Sequence, residues 1–225
     1  MEKLYSRFHS EHALDTYILC FSMHDSRDND GLLSMWRGYG GSGRGAAVVL
    51  DTSKIEPRSD SPIIISNVTY GSTEDRLAWI DKKISEVAAI LRAEPLARKN
   101  LRATAWALWQ RLILFAPFSK HKGFEEEREW RVVYIRNRDY KKEFDPLFGY
   151  FIGAHGVEPK LKLKLKDVPG ATGLSAETLI DRIILGPSIA AVEERFAILR
   201  MLDVIGRSSL KERVRASSIP FRNTS

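Results

Sequence analysis

The run Glu129-Trp130-Arg131-Val132-Val133-Tyr134-Ile135 alternates with a period of two: Trp130, Val132 and Tyr134 fall on one side, Glu129, Arg131, Val133 and Ile135 on the other. That period, in residues rich in β-branched and aromatic types, predicts a strand whose two charged side chains face one way. Upstream, Thr16 to Ser22 (TYILCFS) is a second β-prone run, stopped by the polar stretch His24 to Gly31. Ala46 to Leu50 reads as a buried strand. It is entered through Gly40-Gly41-Ser42-Gly43-Arg44-Gly45, whose glycines permit a tight connection and a close backbone approach. Pro62 to Tyr70 reads as another strand, with Pro62 at its start and Gly71 ending it. Downstream, Leu161 to Lys166 alternates leucine with lysine, which as a strand turns Leu161, Leu163 and Leu165 inward. Ile180 to Leu185 is a strand closed by Gly186-Pro187, and Val214 to Phe221 is a final extended segment.

Between these strands the period changes. A short helical turn is predicted over Leu32 to Tyr39. Ser72 caps a helix running to about Arg92, in which Leu77, Ile80, Ile84, Val87 and Leu91 recur on one face. Pro95 breaks the pattern, and Leu96 to Phe115 reads as a second helix. Ala190 to Ile205 is a further amphipathic helix, with Val192, Phe196, Leu199, Leu202 and Val204 as its candidate buried side. The sum is an α+β fold: a mixed, largely antiparallel sheet with a helical hairpin inserted at about 73–116 and a C-terminal helix. The expectation is one domain over 1–225 with the first fifteen residues flexible, since no repeat or long linker divides the chain.

Composition narrows the function classes. With 44% hydrophobic and 28% charged residues, the chain can bury a sizeable core. Cys20 is the only cysteine, which excludes an intramolecular disulfide and multi-cysteine metal sites. No segment reaches the ~18 uninterrupted apolar residues of a membrane span, and the N-terminus lacks a signal-peptide core, so a cytoplasmic protein without membrane contact is expected. A net charge of +6 favours phosphate-bearing partners if it is focused on one face: a small nucleotide-like ligand, with nucleic acid as another candidate.

Two polar motifs concentrate the residues that could carry chemistry, Trp36-Arg37-Gly38-Tyr39 and Glu127-Arg128-Glu129-Trp130-Arg131. Glu127 and Glu129, two apart at the mouth of a strand, are expected to share a face. Mutual repulsion there would raise one pKa and poise the pair for acid–base or cation-stabilising work. Lys120 and His121 join the group, His121 as a general base or as a solvated loop residue. The same charges admit a packing role instead: Glu129 and Arg131 paired with Arg37 or Lys120, while Trp36, Tyr39 and Trp130 plug the core. His9 and His12 share a helical spacing but lack a third ligand, so no metal site is expected. The glycine cluster lacks a P-loop ending, no Gly-x-Ser-x-Gly elbow occurs, and Cys20, within an apolar strand, reads as a buried structural thiol.

Several pieces also follow one another in a recognisable order: ILCFS (Ile18 to Ser22), LSMWRGYG (Leu33 to Gly40), GRGAAVVLD (Gly43 to Asp51), VTY (Val68 to Tyr70), FSKHKGFEEEREWRVV (Phe118 to Val133), IILGP (Ile183 to Pro187) and SSIPFR (Ser217 to Arg222). In this order the chain resembles the bacterial family catalogued as domain of unknown function 2971. Members usually carry an upstream portion that the sixteen residues before Tyr17 do not supply, so the chain reads as a shortened form. The Glu-x-Glu is similar to the glutamate motif of ADP-ribosyltransferases. That likeness implies Glu129 as the carboxylate that holds the nicotinamide ribose and steadies an oxocarbenium-like transition state, with Glu127 orienting a nucleophile. It further implies Arg37 or Arg131 anchoring a pyrophosphate through bidentate bonds, Trp36 and Tyr39 stacking on a nicotinamide or base, Ser22 near the ribose, NAD as substrate, and a defence or toxin-type role. The other reading is a non-catalytic module binding a phosphorylated ligand or nucleic acid through Arg37, Lys120, Lys122 and Arg131.

Overall fold

A computed structural model of the chain describes residues 14–57, 60–93, 99–154, 156–167, 171–189 and 192–221. His9, His12, Pro95, Leu96, Ala190 and Arg222, named above, lie outside them. In chain order the strands are β1 (Thr16–Ser22), β2 (Ala46–Leu50), β3 (Glu56–Pro57), β4 (Ile63–Asn67), β5 (Thr69–Gly71) and β6 (Ser119–His121). They continue with β7 (Glu129–Ile135), β8 (Phe148–Gly153), β9 (Gly156–Leu161), β10 (Ala171–Thr172), β11 (Ile180–Leu185) and β12 (Val214–Ala216). The helices are α1 (Leu33–Gly38), α2 (Thr73–Ala93), α3 (Leu101–Phe115), α4 (Ala176–Leu179) and α5 (Val192–Val204). The fold is α+β. Its strands form several small, mostly antiparallel sheets. The chain groups into two compact units, one of Met1–Met23 with Ile63–Arg138, the other of His24–Pro62 with Asp139–Ser225.

In the first unit β7 is the central strand between β1 and β4, antiparallel to both. The register sets Cys20, Arg131 and Ser66 in one row and Ser22 with Glu129 in the next alternate row, so these side chains leave the same face of the sheet. Flanked on both edges, the far end of β7 buries Val133, Tyr134 and Ile135 almost completely. The single strand expected over Pro62 to Tyr70 breaks at Val68, whose N–H donates to the Glu129 carbonyl at 2.8 Å; β5 then pairs in parallel with β6.

Ser72 and Asp75 cap α2 reciprocally: the Ser72 Oγ accepts the Asp75 N–H at 3.1 Å, and the Asp75 Oδ2 accepts the Ser72 N–H at 2.8 Å. A stack of Trp79 on Phe115, with ring centres 3.8 Å apart, joins α2 to α3 as the expected hairpin. The expected apolar stripe is not buried, however. Leu77 and Ile84 are exposed, because α3 meets α2 at the Trp79 position and no other layer covers the stripe among the described residues.

In the second unit β11 lies between β12, parallel to it, and β2, antiparallel. Ile180, Ile183, Leu185, Leu202, Leu210 and Val214 form its core. The glycine cluster acts at this sheet's end. The Gly186 N–H donates to the Gly45 carbonyl at 2.8 Å, and a Cβ on Gly186 would lie 2.3 Å from the Gly43 oxygen, so the backbones touch where any side chain would intrude.

Three expectations are corrected here. β2 is an edge strand with Val48 exposed, not a buried one. The leucine–lysine alternation is strand only to Leu161: its partner β8 begins at Phe148, opposite Leu161, so Leu163 and Leu165 lie exposed beyond the end of the ladder. On α5 Leu202 is the one buried residue among those whose side chains are described, with Ile198 and Leu199 half-buried against the core, while Phe196 and Val204 face outward; the Val192 side chain lies outside the described residues.

Candidate functional site

The first unit gathers the charges of the second motif into a closed knot. Glu129, at the mouth of β7, is 4% exposed. Its Oε1 accepts from Arg131 Nε at 2.8 Å; its Oε2 accepts from Arg131 Nη2 at 3.1 Å and from Lys120 Nζ at 3.0 Å. Lys120, on β6, also donates to Glu127 Oε2 at 2.6 Å. Arg131 Nη1 donates to the Pro117 carbonyl, completing its fork. The Glu129 N–H donates to the Tyr70 hydroxyl at 2.7 Å, and the Ser22 hydroxyl donates to the Glu127 carbonyl at 2.7 Å. Tyr70 pairs with Lys120 across β5 and β6, which carries both to the same place.

This arrangement corrects the expected electrostatics. Glu127 is not on the strand: it ends a 3-10 turn (Lys122–Glu127), and Arg128 in a left-handed conformation separates it from β7. The two carboxylates therefore meet a shared ammonium rather than each other. Burial pushes the Glu129 carboxyl up, but hydrogen bonds from Arg131, Cys20 and Lys120 and the Arg131 charge overcome it and hold the group at about 2. Burial works against the Lys120 ammonium, yet the Glu127 and Glu129 bonds raise it further above its ordinary value. The Arg131 guanidinium is raised too, chiefly by its bond to Glu129. Two anions and two cations cancel. Both oxygens of Glu129 already accept hydrogen bonds from cations in this arrangement.

The remaining candidates separate. Cys20 is exposed, against the expectation of a buried thiol, because β1 is an edge strand; crowding by the protein first, and the Glu129 carboxylate second, push its thiol up. His121 is an exposed cap whose Nδ1 accepts the Gly123 N–H at 3.1 Å. Trp36, Arg37 and Tyr39 belong to the second unit. There Trp36 is 4% exposed and donates from Nε1 to the Asp30 carbonyl at 2.7 Å, a core residue rather than a stacking platform. Arg37 ends α1 in solvent. Tyr39, at 69% exposed, and Trp130, at 41%, do not plug the core.

The second unit also holds a polar cavity of about 500 Å³ that the motifs did not foretell, lined by Arg27, Arg182, Arg213 and Arg215 with Ser26, Asn29 and Asp181. Arg182, on β11, ties down the His24 to Gly31 loop: Nη2 donates to the Ser26 carbonyl at 2.6 Å, Nη1 to Asn29 Oδ1 at 2.7 Å and to the Asp28 carbonyl at 3.3 Å, while Nε pairs with Asp181 Oδ2 at 2.6 Å. Arg213 donates from Nη1 to the Glu177 carbonyl at 2.9 Å and to that of Ile180. Arg215 donates from Nη1 to the carbonyls of Glu212 and Val214. Arg213 and Arg215 thus bond only neutral carbonyls among the described residues, each through one nitrogen of its fork. Their sequence signal was Arg213-Val214-Arg215, two cations one residue apart at the start of the predicted extended segment, where alternation sends both to one side.

Residues 35–132 match the family described as Protein of unknown function (DUF2971). That stretch, under half of the chain, contains α1 from Met35 onward and Lys120, Glu127, Glu129 and Arg131; the arginine-lined cavity lies outside it. No curated protein and no solved structure matches the chain. Among the described residues no helix is long and apolar enough to cross a membrane.

Proposed function

We propose that the protein is a non-catalytic binding module for a small phosphate-bearing ligand, seated in the arginine-lined cavity of the second unit. One observation carries the reading: Arg213 and Arg215 line a polar cavity while bonded only to carbonyls. Their guanidinium charge and remaining N–H donors suit the bidentate geometry of a phosphate, which Lys120 and Arg131, closed onto Glu127 and Glu129, no longer offer. Isothermal titration with pyrophosphate tests it. Binding is expected to weaken as salt rises and to fall by about tenfold in Arg215→Gln, a substitution at an exposed position. Absence of binding, or equal binding by the variant, refutes the reading.

A second reading keeps NAD as substrate of an ADP-ribosyltransferase-like transferase or glycohydrolase acting in defence or as a toxin. What favours it is Ser22 in register with Glu129, with Glu127 two residues before it, the grouping that the glutamate motif implies. Release of nicotinamide from NAD by the purified protein, abolished in Glu129→Gln, would establish it; unchanged NAD after prolonged incubation would remove it.

A further inference from the structure

A second cavity, of about 380 Å³, adjoins the first and shares Asp181 and Arg213 with it. Its lining adds carboxylates to cations: Asp51, Glu177 and Asp181 line it together with Lys54, Arg213 and Thr178, with the buried Ile180 as an apolar wall. Each carboxylate is held in place: Asp51 Oδ1 accepts from Ser53 N–H and hydroxyl at 3.1 and 2.6 Å, with Lys54 Nζ 4.0 Å from its Oδ2, Glu177 Oε1 accepts from Arg207 at 2.6 Å, and Asp181 Oδ2 from Arg182 at 2.6 Å. Carboxylate oxygens have several lone-pair sites, so anchored carboxylates still accept from hydroxyl and amino donors. The three do not form a cluster that could hold a metal ion. Bonds from Ser53 to Asp51, and from its own backbone N–H and Arg207 to Glu177, keep both carboxyls below their ordinary values, hence ionised and accepting at neutral pH.

Resting on the phosphate-binding reading above, we infer that the ligand is a nucleoside phosphate, with its phosphate among Arg27, Arg213 and Arg215 and its donor-rich ribose and base in the adjoining cavity of Asp51, Glu177 and Asp181. The two cavities together have the size of an ordinary small-molecule site, and a ligand spanning them places an anion on guanidinium and neutral donors on carboxylates. A nucleic-acid backbone would fill the first and leave the second without a partner.

The inference is tested by titrating pyrophosphate, adenosine and AMP into the wild-type chain and into Asp51→Asn and Glu177→Gln variants; asparagine retains the capping acceptor of Asp51. AMP is expected to bind about tenfold tighter than pyrophosphate, and each variant to lose about tenfold toward AMP while binding pyrophosphate as before. Unchanged pyrophosphate affinity also certifies that a variant is folded. If pyrophosphate binds as tightly as AMP, or the variants bind AMP normally, the nucleoside inference falls and the phosphate site stands. If neither AMP nor pyrophosphate binds, both fall. A single-stranded oligonucleotide bound more tightly than AMP would assign the cavity to nucleic acid and overturn the inference.

Discussion

Arg131 grips Glu129 from two residues along the same strand, Nε to Oε1 at 2.8 Å and Nη2 to Oε2 at 3.1 Å, a bidentate pair within β7. With Lys120 on the other flank, the buried carboxylate has an anchor from each of two strands. Removing it would leave the half-buried Arg131 without its anion and Lys120 with Glu127 alone. Glu129→Gln is therefore expected to destabilise the fold by about 3 kcal/mol, whereas Glu127→Gln, which leaves Lys120 paired with Glu129, is expected to cost about 1 kcal/mol. Urea midpoints of the two variants check the order.

Acid should act through the same group. The Glu129 carboxyl is held at about 2 in the folded chain, below its ordinary value. Because the folded value is depressed, its stabilisation is complete above the unfolded value near 4.5 and is lost as pH falls toward 2. Thermal melts from pH 6 to pH 2 are expected to show a loss of about 2 kcal/mol that is absent in Glu129→Gln.

The raised thiol of Cys20 predicts poor reactivity despite its exposure. Iodoacetamide at pH 7 is expected to label it more slowly than free cysteine, since the thiolate is the nucleophile. Glu129→Gln removes the neighbouring anion and should accelerate labelling in protein that remains folded.

Gly186→Ala would drive a methyl group to 2.3 Å from the Gly43 oxygen and 2.8 Å from that of Gly45. Both neighbours are backbone, so relief requires the β11 terminus to part from the glycine cluster. A loss of about 2–3 kcal/mol is expected by thermal melting, with Gly38→Ala, whose Cβ meets open space, as the mild comparison.

Alternation exposed β7 in the sequence because a half-buried strand has a period that composition cannot hide, while β1 and β11 showed as β-prone runs closed by a polar stretch and by Gly186-Pro187. The same pattern misled at Leu163 and Leu165, where period two continues past the last residue with a strand opposite. Partners are tertiary facts. The stripe of α2 shows the same limit: Leu77 and Ile84 are correctly spaced for a buried face, but spacing does not supply a layer to cover it. At the Glu129 site the residues were legible and their state was not. Whether two glutamates repel or share a counter-ion depends on the left-handed Arg128 and on Lys120 arriving from β6, neither visible in local spacing. The arginine cavity escaped notice because Arg27, Arg182 and Arg215 lie far apart along the chain and only β11, β12 and the loop before α1 unite them.

In the second unit β2 finds its partner β11 some 130 residues later, and Arg182 fastens a loop 153 to 156 residues away from it. During synthesis, residues 24–62 must therefore wait, with the glycine cluster and the Ser26 to Asn29 loop unfastened, while the first unit is completed at Arg138. Non-local pairing of this kind slows folding and prolongs exposure of an edge. The arginine-lined cavity comes into being only when β12 docks, so a nascent chain stalled before residue 213 lacks two of its four arginines.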